Sequence, residues 1–103
     1  MKPKPARHQA ALPKARGIRR ACRNELYRTI KRLDIWVAPE KLSKAEELYA
    51  KRVVLNLPWI AEHQSNRRAL ADWFDANCAA DIAALWEVDR ERLSEAFRSA
   101  FGG

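Results

Sequence analysis

One group of side chains has the types and spacing to do chemistry. Arg16, Arg19, Arg20, Arg23, Lys31 and Arg32 fall within a single short stretch. A row of Lys and Arg at helical spacing can neutralise phosphates and release their condensed counterions, which gives salt-sensitive affinity with little sequence preference. Enzyme chemistry needs a nucleophile with a base, a carboxylate pair or a metal cluster, and none is assembled. His8 lies in a proline-rich arm. His63 sits between Glu62 and Gln64, and adjacent helical positions point in different directions, so a shared site is not expected. Asp72 and Asp75 share a helix side and read as solvated charge. Cys22 and Cys78 have no ligand neighbours at short spacing and read as reduced thiols. Gly17 is the only internal glycine, so no glycine-rich phosphate loop exists. No catalytic residue, metal site or cofactor is expected; the chain reads as a binding protein, not an enzyme.

The charge balance locates the binding surface. Residues 1 to 32 carry eleven Lys or Arg against Glu25 alone, a balance of +10, whereas residues 33 to 103 come to −3, giving +7 for the whole chain. Like charges so concentrated repel one another until a partner or salt relieves them, so an anionic partner is expected, nucleic acid first. No apolar run is long enough to span a bilayer and no uninterrupted hydrophobic leader begins the chain, so neither membrane insertion nor export is expected and the cytoplasm is the expected location.

The elements that must position these side chains read as helices. At 103 residues and 48% hydrophobic content the chain has material for one modest core. Pro3, Pro5 and Pro13 make residues 1–15 a flexible basic arm, leaving 16–103 as a single helical domain. Ile18, Cys22, Leu26, Ile30 and Leu33 form one apolar stripe on a helix over 16–33, with the arginines on its other faces. Residues 34–39 (DIWVAP) form a connector anchored by Trp36 and Val37, and Trp36 is the tryptophan available to a partner. Ser43 and Glu46 have capping-box spacing, which starts a helix near Ser43 with Ala45, Leu48, Tyr49 and Val53 inward. Pro58 opens a short helix through Trp59, Ile60 and His63. Ser65 or Asn66 caps the next helix, which carries Leu70, Trp73 and Phe74 and ends at Asn77. Trp59, Trp73 and Trp86 are expected in the core. No strand-like alternation and no repeat occurs, so the fold class is all-α, a small bundle of about five to six short helices.

In the last segment, Ile82, Ala83, Trp86, Val88, Leu93 and Ala96 take the inward positions of two helices joined by a tight turn. Asp89 caps the second of them, and Ala83 lies at the crossing. Ala79 to Phe101 thereby resembles the helix-turn-helix of bacterial and phage DNA-binding proteins. Glu87 stands at the turn position that takes positive φ and is usually glycine, so the turn carries strain or adopts another shape. The resemblance implies that the second helix enters the major groove and presents Arg90, Glu91, Ser94 and Arg98 to base edges and phosphates. It also implies a dimer, through the apolar surface left by the second helix and the Pro58 region. The expected function is a small DNA-binding regulator, with DNA favoured over RNA. The alternative is a helical adaptor or inhibitor whose basic segment docks on an acidic protein surface or RNA.

Overall fold

Ile18, Cys22, Leu26 and Leu33 are buried along one side of the first helix, α1 (Ala15–Leu33), with Thr29 among them and Ile30 packed at the margin. Thr29 is reconciled with burial by donating its hydroxyl to the Glu25 carbonyl one turn back, at 2.8 Å. Asp34 ends α1 in the left-handed conformation (φ 58°), its N–H reaching the carbonyls of Ile30 and Lys31. The computed structural model describes residues 14–103, so the arm expected over residues 1–15 lies, for all but its last two positions, outside the described residues.

The remaining elements are α2 (Pro39–Leu55), α3 (Leu57–Glu62), α4 (Arg67–Phe74), a π-helical turn over Asp75–Ala79, α5 (Ala80–Trp86) and α6 (Arg90–Phe101). Among the described residues the fold is all-helical, without strands. Helix α2 begins four residues before the expected Ser43, because Pro39 occupies the first turn, where a missing N–H costs nothing. Glu46 is therefore in mid-helix and makes no cap. Asn66 does cap α4, its Oδ1 accepting from the Ala69 N–H at 3.0 Å.

The helix expected to end at Asn77 does not end there. Phe74, Asp75, Ala79 and Ala80 all keep right-handed helical dihedrals, and α4 runs through the π turn into α5 as one rod. A π turn lengthens the hydrogen-bond step and frees backbone groups for other partners. Asn77 Nδ2 donates to the Trp73 carbonyl at 2.9 Å, Arg90 donates to the Asp75 carbonyl at 2.9 Å, and Arg52 donates to the Asn77 carbonyl.

The core is built where α1, α2, the α4–α5 rod and α6 meet, around Leu26, Phe74, Ile82, Leu93 and Phe97. Phe74 and Phe97 stack with ring centroids 3.7 Å apart, and Tyr49 meets Phe74 edge-on at 5.0 Å. Of the three tryptophans expected inside, Trp86 is buried and Trp73 half-buried, while Trp59 is exposed and stacks on His63 at 4.1 Å. Helix α3 has only six residues and buries none of them fully, too short a face to bring Trp59 under cover.

Candidate nucleic-acid interface

Helix α1 carries Arg16, Arg20 and Lys31 on the side opposite its buried stripe and its other cations along the flanks. Arg16, Arg20 and Lys31 are exposed and make no ion pair among the described residues. Lys31 and Arg32 also lie in the last turn, where the C-terminal end of the helix dipole favours positive charge. Arg32 is partly engaged, donating to the Ser99 hydroxyl of α6. Arg28 pairs with Glu25, the only carboxylate on α1, at 3.3 Å. Arg16, Arg20, Tyr27 and Lys31 follow one another at steps of four, seven and four residues, two full turns lying between Arg20 and Tyr27, so they share one face as a stripe about 22 Å long.

Arg19 and Arg23 behave differently. Each donates its Nε–H to one oxygen of Glu46 on α2, Arg19 to Oε2 at 2.9 Å and Arg23 to Oε1 at 2.6 Å. Glu46 is only 2% exposed, while the two guanidinium groups remain about half open to water. The hydrogen bond to Glu46 raises the pKa of Arg23 further above the ordinary arginine value. Arg16, Arg19, Arg20 and Arg23 together border a shallow depression over Glu46. This pairing fixes two arginines as a fork, leaves their outer edges available, and reduces the charge of the trio to a single positive unit. It also joins α1 to α2.

The four residues expected on the second helix of the motif are brought together, Arg90 and Glu91 exposed and Ser94 and Arg98 half-buried, beside carboxylates of the α4–α5 rod. Arg90 lies 3.7 Å from Asp75, Ser94 donates to the Asp75 carboxylate, and Arg98 pairs with Asp72. Glu91 and Glu95 border the same hollow as Arg90 and Ser94. Asp72 and Asp75 are thus not merely solvated charges: they tie the α4–α5 rod to α6. On the other flank α6 is joined to α1, with Arg92 donating to the Leu33 carbonyl at 3.4 Å and Arg32 donating to Ser99. Two arginines facing Asp72, Asp75, Glu91 and Glu95 leave this part of the surface with more carboxylates than cations.

The turn before α6 has the backbone that its position demands. Glu87 takes φ 58° and ψ 45°, a left-handed conformation in a residue with a Cβ. Its N–H bonds the Ala84 carbonyl at 3.3 Å and the Val88 N–H bonds Ala83 at 3.0 Å, the paired closure of a Schellman cap. Asp89 Oδ2 accepts from the Arg92 N–H at 3.1 Å and starts α6. Ile82, Ala83, Trp86, Leu93 and Ala96 are buried, with Val88 half-buried. No family model matches the chain, and no curated protein or solved structure is significantly similar to it.

Cys22 and Cys78 are both buried, and burial pushes each thiol up to about 12. They stay protonated near neutrality and have no nucleophilic character there. Among the described residues no group of three His, Cys, Asp or Glu side chains could hold a metal ion, and no helix is long and apolar enough to cross a membrane. Two aromatic residues that the sequence reading does not join to the basic stripe are exposed: Tyr27, on the stripe itself, at 50%, and Trp36, in the connector that follows α1, at 81%. The sequence makes Trp36 both an anchor of its connector with Val37 and the tryptophan available to a partner; its exposure agrees with the second reading and corrects the first. Ile35 and Val37 pack on the core, while the side chain between them is exposed. The alternation Ile-Trp-Val was the available signal.

Proposed function

We propose that this chain is a small nucleic-acid-binding protein, acting on DNA in the cytoplasm as a regulator, and that it grips phosphates through the solvent face of α1. The observation that carries this reading is the set of exposed cations Arg16, Arg20 and Lys31, unpaired among the described residues and flanked by the half-open Arg19 and Arg23, whose partner is Glu46. Such a surface supplies backbone affinity without base reading. A groove-reading role for Arg90, Glu91, Ser94 and Arg98 belongs to the helix-turn-helix form of the proposal. It receives less support than α1, because Arg90 and Arg98 would have to leave Asp75 and Asp72 before meeting phosphate or guanine.

The test is fluorescence anisotropy of labelled DNA across a salt series, with wild type and the variant Arg16→Ala/Arg20→Ala/Lys31→Ala. Removing three phosphate contacts should flatten the slope of log K against log salt by about 2 to 3. An unchanged slope and affinity would exclude α1 as the binding surface.

A second reading, a protein-binding adaptor or a self-associating chain, is favoured by a different observation. Val54, Leu55 and Trp59 are exposed around the junction of α2 and α3, with Leu55 at 72%. Exposed apolar side chains gathered in one place are characteristic of protein contacts. Light scattering that shows only monomers over a wide concentration range would remove the homodimer from this reading.

A further inference from the structure

We infer that the occupant of the α1 surface is single-stranded DNA, its bases stacking on Trp36 and Tyr27 while its phosphates follow Arg16, Arg20 and Lys31. This rests on the nucleic-acid reading above and adds which form of the polymer the surface takes.

The aromatic rings carry the inference. Trp36 is the most exposed large hydrophobic side chain among the described residues, and its backbone is anchored on both sides, because Ile35 and Val37 pack on the core. Tyr27 lies on the same helical face as Arg20 and Lys31, and shares a shallow hollow with Arg23, Val37 and Pro39. The connector that projects Trp36 therefore passes beside the Tyr27 ring. A tryptophan gains much from burial, and its outward position leaves that gain to be made with a partner.

The partner must offer both negative charge and flat apolar faces. Single strands do so, since every unpaired base has a face to stack on an aromatic ring and each step brings a phosphate. In a duplex the base faces are already stacked on one another, so Trp36 and Tyr27 would have nothing to meet. DNA suffices for this recognition. Stacking on the two rings and contact between phosphates and the stripe require no ribose 2′-hydroxyl.

The experiment uses the full chain and fluorescein-labelled oligothymidylate, a duplex of equal length, and the RNA counterpart of the single strand. Wild type should prefer the DNA single strand to the duplex. Trp36→Ala should weaken single-strand binding by about 5- to 150-fold, the range for one base on an aromatic ring, and duplex binding by less than about twofold. Trp36→Phe should recover most of the loss. The salt slope should be the same in all three proteins, because the ring contributes no counterion release. Trp36 is so exposed that folding should be unaffected, and a thermal melt of each variant verifies this.

Equal single-strand affinity in wild type and Trp36→Ala, or a preference for the duplex, would overturn the inference while the phosphate reading stood on its salt slope. RNA bound more than about tenfold tighter than DNA would overturn the choice of DNA, since a 2′-hydroxyl contact would then be required. A wild-type chain that binds none of the three polymers would remove the inference and the reading beneath it together.

Discussion

Replacing Arg19 and Arg23 together with Ala should destabilise the fold severely, although both arginines are half-exposed and lie off the apolar stripe. The reason is the partner they leave behind. Both Glu46 oxygens are occupied by these two arginines, and the carboxylate is 2% exposed, so the double variant strands a buried charge. Stranding a buried carboxylate costs about 3–5 kcal/mol. Total stability for a chain of this size is about 5–15 kcal/mol, so the loss is a large fraction of it. At about 4–8 °C per kcal/mol, the midpoint of a thermal melt followed by circular dichroism should fall by at least about 12 °C. The converse substitution separates charge burial from packing. Glu46→Met leaves the guanidinium groups near water, where they can hydrate, and fills the same space with an apolar chain. It should cost much less than the double arginine variant, and combining all three changes should recover most of the lost stability. A double variant melting within about 2 °C of wild type would refute the argument, since about 0.5 kcal/mol is all that such a shift represents. For the same reason, these two arginines are unsuitable for testing nucleic-acid binding, which Arg16, Arg20 and Lys31 test without disturbing a buried partner.

Two further expectations follow from single residues. At the left-handed turn, Glu87→Gly and Glu87→Ala both lose the exposed contact to Lys41 (3.1 Å), so their difference isolates the backbone; the glycine variant should be the more stable by about 1 kcal/mol, and coincident melts would refute strain at this position. Cys22 and Cys78 are raised by burial from 9.0 to about 12, so the folded chain holds protons that the unfolded chain releases. Stability should therefore be fully present below pH 9 and fall as the pH rises towards 12, and both thiols should resist a thiol reagent at pH 8 until denaturant is added; rapid labelling of the native chain would contradict their burial.

Much of this architecture was legible because it rests on periodicity. The stripe from Ile18 to Leu33 has the spacing of a helix, and the structure buries it; the same holds for Ile82, Trp86, Leu93 and Ala96 around the turn. Local capping was legible at Asn66 and Asp89, where a short polar side chain precedes an apolar-periodic run. What escaped were features decided by contacts distant in sequence. Glu46 carries the same local signature as a capping residue, and only the approach of α1, with Arg19 and Arg23 facing α2, makes it a buried counter-ion. Asn77 has the type of a helix end, but Arg52 and its own side chain satisfy the carbonyls freed by the π turn, so the helix continues. The roles of Asp72 and Asp75 likewise depend on where α6 packs. At the candidate interface the cations of α1 were legible from composition and phase. Their division into two engaged by Glu46, Arg28 held by Glu25, Arg32 held by Ser99 and three left open required the positions of the neighbouring helices.

The claim that α1 is the nucleic-acid surface is tested most directly by titrating a short DNA strand into isotopically labelled protein and following backbone amide and tryptophan indole signals. The account predicts shifts at Arg16, Arg20, Asn24, Tyr27 and Lys31 and at the indole of Trp36, with α6 signals at Glu91, Ser94 and Glu95 unmoved. Shifts centred on Arg90, Ser94 and Arg98 with α1 unmoved would contradict it and return the contact to the second helix of the motif.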